Sequence, residues 1–489
     1  MLTKNKFYTI SFVEGASVMA AEICGAKLLA PFFGSSLYVW SSVMAITLGG
    51  LASGYFFGGK LSKRFDKEKN LLFVLVAAIF FLCSMPILTS VFVFTSSVFP
   101  LIPAVIISVF FLLFPTMLCM GATSPLIISI LTNQAQSSGE NSGKVYAIST
   151  VGGILSTFLC GFYLIPNTGV KLSLICFAIA LSLVTLLLII KKKSKLIAIV
   201  LFCTFSITTF IFLTLKPNKF SIYQSEGILG KLEIRDEPNQ NNSSIIERKL
   251  LINNIVQTEM NLQNHQSVSD YVRLLDRNKM FFPKGKMLIL GLGGGVVANM
   301  FQDETYDVTA VEFDERIIEM SKRFFYLNDS IKTICSDARY YINHSSEKYN
   351  VILFDVFKAE EQPSHIITQE SLIKLKMMLD TNGLVLINTH GYLKDKKGLG
   401  TQCLLVTLKD AGFNIKICTS SEEEDYRNLL IVASQKPLLV TLNNELSPII
   451  YADLKTISTD NQPIMEVLNA SANQSWRSNY LKNYIIWNY

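Results

Sequence analysis

The sequence predicts a protein of two parts, an N-terminal all-α bundle of about seven membrane-spanning helices and a C-terminal soluble α/β domain. The length of 489 residues supports this division because it is too great for one ordinary domain. The composition supports it as well. Half of the residues are hydrophobic and only 17% are charged, whereas roughly 25% are charged in typical soluble proteins. The long apolar segments lie within the first 215 residues, and short alternating strands and helices follow.

Charge is distributed unevenly between the two parts. Residues 1–215 contain 14 Lys and Arg against 5 Asp and Glu, whereas the remainder contains 30 against 33. A basic excess in the loops between membrane helices is an orientation signal and not a nucleic-acid footprint. The mildly acidic C-terminal part has no basic stripe and no base-stacking motif, so the sequence argues against nucleic-acid binding.

Seven segments of the N-terminal part are apolar over the roughly 20 residues that a membrane span requires. They lie near residues 8–30, 36–59, 71–90, 101–131, 146–165, 172–190 and 196–215. Small residues recur in the second segment between Gly49 and Gly59, and such positions let membrane helices approach closely. We interpret this stripe first as a packing signal.

The first predicted span carries Glu14, Glu22 and Lys27. Charges inside a membrane are costly, so they are candidates for function. In the alternative, structural interpretation, Lys27 reaches the membrane interface and the two glutamates bond to neighbouring helices. The sequence leaves both interpretations open.

Basic residues also bear on orientation. Lys4, Lys6 and the bases of the 60–69 and 191–195 segments all fall on one side if the N-terminus is cytoplasmic. Seven spans would then place the C-terminal domain outside, although a domain that uses a cytosolic nucleotide is expected inside. Either one segment does not cross, or the domain is exported. We predict a multi-pass inner-membrane protein with a cytoplasmic C-terminal domain.

The predicted organisation has four parts, which are a transmembrane domain (1–216), a β-hairpin subdomain (217–262), a Rossmann-like domain (263–440) and a helical extension (441–489). Lys231–Arg235 and Glu247–Ile252, around a polar turn, are predicted hairpin strands. Strands and helices then alternate, which is typical of a mostly parallel sheet. Its predicted strands are Lys286–Leu290, Asp307–Glu312, Ile331–Cys335, Val351–Asp355, Leu384–Asn388, Phe413–Cys418 and Arg427–Val432.

A glycine-rich turn follows the first strand of this sheet and contains Gly291, Gly293, Gly294 and Gly295. Open α/β sheets bind ligands at the carboxyl ends of their strands. Glycines let the backbone approach a ligand, and free amides at the start of the next helix favour negative charge. In the alternative interpretation, the turn serves helix–sheet packing alone.

Acidic residues follow the next two strands. Glu312 lies about 20 residues beyond the glycine turn, where a carboxylate can accept hydrogen bonds from ribose hydroxyls. Asp314 is expected to cap the following helix instead. Asp337 follows the third strand and could accept a hydrogen bond from an adenine amino group. The ordered series of glycine turn, Glu312 and Asp337 predicts a nucleoside site.

Asp355 ends an apolar strand, where burial and neighbouring groups can tune its proton affinity for general base catalysis. The alternative is an aspartate that caps the backbone. His365 is a candidate second proton carrier, although a structural role is favoured because the sequence shows no partner for it. The nine cysteines contain no C-x-x-C pair, and the histidines have no ligand spacing, so we predict no metal site.

These motifs resemble the spermidine synthase (polyamine aminopropyltransferase) family over residues 225–435. The whole chain resembles its multispanning membrane branch, described as fused transporter-like and spermidine synthase proteins. The resemblance implies a class I S-adenosylmethionine methyltransferase-like (Rossmann-like) fold with a small β-hairpin subdomain. It also implies transfer of aminopropyl from decarboxylated S-adenosylmethionine, which is a co-substrate and not a cofactor, to an amine such as putrescine.

The resemblance assigns roles residue by residue. The family's Gly-Gly-Gly-Asp-Gly-Gly turn corresponds to the segment with Gly291, Gly293 and Gly295. Glu312 matches the ribose-binding acid, and Asp337 matches the acid on the adenine side. Asp355 matches the aspartate that takes a proton from the attacking amine.

The amine side departs from the family pattern. Gly294 replaces the aspartate of the glycine turn, and Val356-Phe357-Lys358-Ala359 replaces the Ser-Ser-Asp-Pro segment after the base. The lost acid is one that would hold a substrate ammonium. Lys358 would instead repel that ammonium. The candidate substitutes and amine ligands are Gln257, Asp270, Tyr271, Glu360 and Glu361.

We therefore predict a membrane-anchored aminopropyltransferase-like enzyme that binds a small amine, an adenosyl-sulfonium substrate and membrane lipid, with homo-oligomerisation left open. One alternative is an S-adenosylmethionine-dependent methyltransferase on the same sheet. The other is a transporter or sensor whose soluble domain binds a nucleoside without turnover. The loss of the amine-holding acid and the charged first span favour this last alternative.

Overall fold

The chain forms two compact units in a computed structural model. One contains residues 1–219 with 225–231, and the other contains residues 220–224 with 232–489. The structure describes residues 2–33, 37–64, 66–88, 95, 99, 101–132, 137–188, 219–239, 242–356, 363–425, 427–446 and 456–484.

The described residues up to 188 in the first unit form helices and short turns. The helices are α1 (Leu2–Phe33), α2 (Leu37–Leu61), α3 (Lys67–Ser84), α4 (Leu101–Leu131), α5 (Ser138–Leu159) and α6 (Ile165–Leu186). One π-helical turn, Cys160–Leu164, joins the last two. A kink follows at Gly169, whose φ is +80°. No loop separates the fifth and sixth predicted spans (146–165 and 172–190). Their described residues belong to one kinked helical stretch.

Among the described residues, three helical stretches are long and apolar enough to cross a membrane: Tyr38–Leu61, Ile102–Leu131 and Ser138–Leu186. The sequence predicted seven spans, and the described residues do not show this number. The seventh predicted span, 196–215, lies outside the described residues. These three apolar helical stretches support membrane association.

The small-residue stripe of α2 packs against α4. A Cβ added at Gly54 would lie 2.4 Å from the carbonyl oxygen of Leu118, and one added at Gly58 would lie 2.5 Å from that of Ala122. Gly49, by contrast, has nothing within 4 Å of such an added atom. The stripe is a helix-packing surface, since only glycine permits this approach.

Glu14 lies where α1 crosses α5. Its side chain is buried, and Ser149 Oγ donates to its Oε2 at 3.3 Å. Gly15 and Gly152 make the crossing close, because a Cβ at either would lie 2.1 Å from a carbonyl oxygen of the other helix. Glu14 thus bonds to a neighbouring helix, as in the structural interpretation of this residue.

A four-stranded antiparallel sheet begins the C-terminal part. Its strands, in spatial order, are β1 (Ser221–Gly227), β2 (Gly230–Pro238), β3 (Ile246–Ile252) and β4 (Ile255–Asn261). The sequence predicted β2 and β3 and missed the outer two. A bulge interrupts the alternation of β4, where Leu250 pairs with Thr258 and Leu251 with Val256, so Gln257 is the extra residue.

The larger sheet has seven strands in the order β10-β11-β9-β8-β5-β6-β7. They are β5 (Lys286–Leu290), β6 (Asp307–Glu312), β7 (Lys332–Cys335), β8 (Tyr349–Phe354), β9 (Leu379–His390), β10 (Asn414–Thr419) and β11 (Asn428–Ser434). β11 runs antiparallel to both of its neighbours, whereas β7, β6, β5, β8 and β9 are parallel. β5, the first of these strands in the chain, lies inside the sheet, with β6 and β7 on one side of it and the other four strands on the other. This arrangement confirms the predicted Rossmann-like fold for this part.

Helices cover both faces of this sheet. They are α7 (Asp270–Asn278), α8 (Val296–Asp303), α9 (Glu315–Phe324), α10 (Ala338–His344), α11 (Gln369–Met378) and α12 (Asp395–Asp410), and α13 (Met465–Tyr484) follows the sheet. Alternate side chains of β5 enter opposite cores, with Leu288 and Leu290 in one and Met287 and Ile289 in the other. β6 and β8 lie on opposite sides of β5. A crevice is therefore expected at the carboxyl ends of β5 and β8.

Candidate active site

The glycine turn lies directly against the residue predicted to be the base. Gly291 has a φ of +88°, and a Cβ added there would lie 2.3 Å from the carbonyl oxygen of Asp355. The Asp355 amide donates to the carbonyl of Leu290 at 2.9 Å, so β8 continues its pairing with β5 to this point. Only glycine fits at residue 291, and this close approach fixes the turn and Asp355 relative to each other.

Thr258 of β4 packs on the same turn. Its Oγ1 accepts a hydrogen bond from the Gly294 amide at 2.8 Å. A Cβ added at Gly294 would lie 2.8 Å from Thr258 Cγ2 and 2.9 Å from Phe325 Cδ1. Packing within the protein therefore accounts for this glycine, because an aspartate there would have to displace the side chain of Thr258 or Phe325.

We expect Gly294→Asp to lower the free energy of unfolding by about 1–3 kcal/mol, the usual cost of overpacking. Urea unfolding of the full chain measures this loss. The same substitution in a Thr258→Ser background should be less costly, because serine lacks the Cγ2 methyl. A Gly294→Asp protein of unchanged stability would show that the turn has room for the acid.

Glu312 ties the end of β6 to the glycine turn. Its Oε2 accepts from the amide of Leu292 at 3.0 Å, and its Oε1 accepts from the amides of Phe313 at 2.8 Å and Asp314 at 3.0 Å. Burial raises the pKa of this carboxyl, and the three amide hydrogen bonds oppose that rise. Asp314 caps α9, as predicted, by accepting from the amide of Arg316 at 3.1 Å.

Asp337 has a capping role in addition to its predicted place on the adenine side. Its Oδ1 accepts from the amide of Tyr340 at 3.0 Å at the start of α10. Its Oδ2 lies 3.6 Å from His365 Nε2, and both side chains are exposed to solvent. The structure thus gives His365 a partner that the sequence could not show, 28 positions away along the chain.

Asp355 is held by hydrogen bonds to both carboxylate oxygens. Tyr271 Oη donates to Oδ2 at 2.6 Å, and Asn388 Nδ2 donates to Oδ1 at 2.9 Å. Asn428 Nδ2 in turn donates to Asn388 Oδ1 at 2.9 Å. Burial raises the pKa of Asp355, and the two donors oppose the rise. The pKa of the Tyr271 hydroxyl is raised by burial and by the adjacent carboxylate.

Sequence reasoning missed Asn388 and Asn428. Asn388 follows the apolar run Leu384–Ile387 on β9, which neighbours the strand of Asp355. A polar residue that ends a buried strand at the same sheet edge was the available signal. Asn428 follows no such run, and its role depends on the pairing of β11 with β9.

The predicted amine ligands are placed differently from one another. Tyr271 contacts Asp355, as described above. Asp270 lies on the exposed side of α7 and pairs with Arg273 at 3.2 Å. Gln257 is the bulge residue of β4, and its Nε2 lies 3.4 Å from the carbonyl oxygen of Ile255, which accepts its hydrogen bond. The segment with Lys358, Glu360 and Glu361 is outside the described residues.

The geometry brings two chemical groups together at the carboxyl ends of β5 and β8. One is an oriented carboxylate, Asp355, whose two oxygens each accept one hydrogen bond and retain lone pairs for a proton. The other is a glycine turn tied to the buried carboxylate of Glu312. Glycine turns of this kind bind nucleosides in open α/β sheets. A base beside such a turn can accept a proton from a nucleophile when that nucleophile attacks a group carried by the bound nucleoside.

Comparison with known proteins gives a partial match. A polyamine aminopropyltransferase of Vibrio vulnificus is 36% identical over 134 residues, which are 25% of this chain and 44% of that protein. Another, from Korarchaeum cryptofilum, is 26% identical over 114 residues, which are 22% of this chain and 36% of that protein. Part of this chain is homologous to polyamine aminopropyltransferases. The match spans less than half the length of either relative, and no family model matches the chain.

Solved structures give weak overall similarity. A probable spermidine synthase from Corynebacterium glutamicum has a TM-score of 0.37 at 18% identity, covering 46% of this chain and 82% of that one. A SAM-dependent methyltransferase from Archaeoglobus fulgidus has a TM-score of 0.27 at 14% identity, covering 34% and 92%. The neighbours thus include both classes of transferase.

Proposed function

We propose that this protein is a membrane-anchored aminopropyltransferase-like enzyme, which transfers aminopropyl from decarboxylated S-adenosylmethionine to a small amine. The observation that carries the proposal is the placement of Asp355. Tyr271 and Asn388 orient its carboxylate, and Gly291 brings it against the glycine turn. The homology of part of the chain to polyamine aminopropyltransferases supports this choice of chemistry.

The proposed reaction is an in-line displacement at carbon. The lone pair of the amine nitrogen attacks the propyl carbon bonded to the sulfonium, and a C–N bond forms as the C–S bond breaks. The bonding pair goes to sulfur, so the donor leaves as neutral 5′-methylthioadenosine. The nitrogen releases one proton, which Asp355 accepts. The protein contributes proximity, orientation and the base.

The methyltransferase alternative is favoured by one observation at the turn. Residue 294 is glycine, with Thr258 packed against it, so the turn lacks the carboxylate that the family has there. No negative charge at this position would repel the carboxylate of ordinary S-adenosylmethionine. The same fold would then bind that donor with its methyl group directed at the nucleophile.

Product analysis separates these functions. The purified full chain is incubated with either donor and a panel of diamines, and both products are identified by mass spectrometry. We expect aminopropylated amine and 5′-methylthioadenosine in equal amounts, and both should form about 10²–10⁴-fold more slowly in an Asp355→Asn control. Methylated acceptor with S-adenosylhomocysteine would establish the methyltransferase instead. Nucleoside binding without any product would overturn both and favour the sensor.

We also propose that the protein is a multi-pass protein of the inner membrane with its C-terminal domain in the cytoplasm. The three apolar helical stretches support membrane association, and the basic 60–69 segment is expected on the cytoplasmic side. Reporter fusions after Lys219 test it, with a fusion inside the basic segment as a cytoplasmic reference. We expect both fusions to report the cytoplasm, and an extracytoplasmic signal alone after Lys219 would overturn the orientation.

A further inference from the structure

The C-terminal helix α13 contacts β4, the strand that packs on the glycine turn, and the hairpin turn that precedes it. We propose that α13 positions this turn through Tyr480, the bulge of β4 and Thr258, and that nucleoside affinity depends on this chain of contacts. The proposal rests on the nucleoside site of the proposed function. All of these residues belong to the second unit.

The first contact is the hydroxyl of Tyr480. It donates to the carbonyl of Asn254 at 3.0 Å and accepts from the amide of Val256 at 3.1 Å. Trp476 stacks on its ring, with centroids 5.1 Å apart and an interplanar angle of 13°. Asn253 and Asn254 have φ values of +51° and +66°, as in a tight hairpin turn. Tyr480 therefore holds the exit of the turn between β3 and β4.

The second step is the bulge. Gln257 is the extra residue on β4, so the pairing of β3 with β4 shifts between Val256 and Thr258. Bulges change the direction of the side chains that follow, and a shift of one residue reverses the face on which each side chain lies. Tyr480 fixes Val256, immediately before this bulge, and thereby sets the direction of Thr258.

The third contact is between Thr258 and the turn. Thr258 Oγ1 accepts from the Gly294 amide at 2.8 Å, and the same oxygen would lie 2.8 Å from a Cβ on Gly293. The Gly295 amide closes the turn on the carbonyl of Leu292 at 2.9 Å. The protein thus fixes the turn before a ligand arrives, and such preorganisation lowers the entropic cost of binding.

Calorimetry with 5′-methylthioadenosine and the full chain in detergent tests the proposal. Thr258→Val removes the acceptor and should weaken binding about tenfold, within the range of one hydrogen bond. Thr258→Ser keeps the acceptor and should bind like the wild type. Tyr480→Phe should weaken binding about threefold to tenfold.

A double-mutant cycle tests whether the two residues act through one path. Tyr480→Phe combined with Thr258→Val should bind no more weakly than Thr258→Val alone, because the second link is already broken. The matched control is Tyr306→Phe, which loses a hydroxyl bond to the carbonyl of Phe282 away from the turn. This control should leave the dissociation constant unchanged. Additive losses for Tyr480 and Thr258 would overturn the proposed path.

Hydrogen exchange separates this proposal from the proposed function. The Gly294 amide should exchange faster in Thr258→Val and Tyr480→Phe than in the wild type and in Tyr306→Phe. Equal exchange rates would overturn the positioning role, whether or not the ligand binds. Faster exchange in a protein whose wild type binds no 5′-methylthioadenosine would confirm the contact chain and refute the nucleoside site.

Discussion

Asp355→Asn is expected to lower turnover by about 10²–10⁴-fold, the usual contribution of general base catalysis. Asparagine keeps the shape of the side chain and an oxygen for one donor, but it cannot take a proton from the attacking amine. Binding of 5′-methylthioadenosine should change little, since that ligand is assigned to the glycine turn, Glu312 and Asp337. Single-turnover kinetics and calorimetry on the same preparation measure both quantities.

Asn388→Ala is the matched variant for this test, because it removes a donor to Asp355 and leaves the base in place. Its loss of turnover should be smaller than that of Asp355→Asn. A variant Asp355→Asn that retains full aminopropyl transfer would show that Asp355 is structural, and the proposed mechanism would fail.

The pH profile of turnover should follow the ionisation of Asp355. Only the carboxylate form accepts a proton, and burial raises its pKa above the ordinary value. Turnover should therefore be lost as the pH falls through this raised pKa. Tyr271→Phe removes a hydrogen bond that favours the carboxylate, so the acidic limb should move to higher pH. An acidic limb that stays in place would exclude Asp355 as the titrating base.

Glu312→Ala is expected to weaken binding of the adenosyl ligand by about 1.5–3 kcal/mol, the range for a hydrogen bond to a charged group. The structure adds a second effect. Three amides, including that of Leu292 in the glycine turn, lose their acceptor, so the unfolding free energy should fall as well. Calorimetric titration and urea unfolding separate the two losses.

Asp314→Ala provides the control for Glu312. It removes the cap of α9, which costs about 1 kcal/mol of stability, and it leaves the bond between Glu312 and Leu292 intact. Nucleoside affinity should therefore survive in this variant. An unchanged dissociation constant in folded Glu312→Ala would remove Glu312 from the site.

The strands and strand-end acids of the candidate nucleoside site were accessible from the sequence because their signals are local. The predicted and observed bounds of β5 and β6 coincide, since each strand is an apolar run bordered by turn residues. Glu312, Asp337 and Asp355 lie at or just after strand ends, and parallel strands bring their carboxyl ends to one edge. The strand pattern alone therefore placed these acids along the same edge of the sheet.

The supporting contacts were inaccessible because they join residues far apart in sequence. Asn388 reaches Asp355 across neighbouring strands, and Tyr480 reaches Val256 from the last described helix. Thr258 is an ordinary strand residue whose position on the glycine turn depends on a bulge that no composition signal marks. The number of spans is also not fixed by local signals, because apolar length predicts where helices form, but not whether two of them continue as one.

The bond from Asn428 to Asn388 has a consequence for local unfolding of the larger sheet. Asn428 belongs to β11, which lies between β9 and β10, and it orients Asn388 by donating to its Oδ1. The glycine turn, Glu312 and Asp337 follow β5, β6 and β7, on the far side of β8 from these strands. Under the proposed function, local opening of β10 and β11 would loosen the base and slow turnover while the donor stays bound.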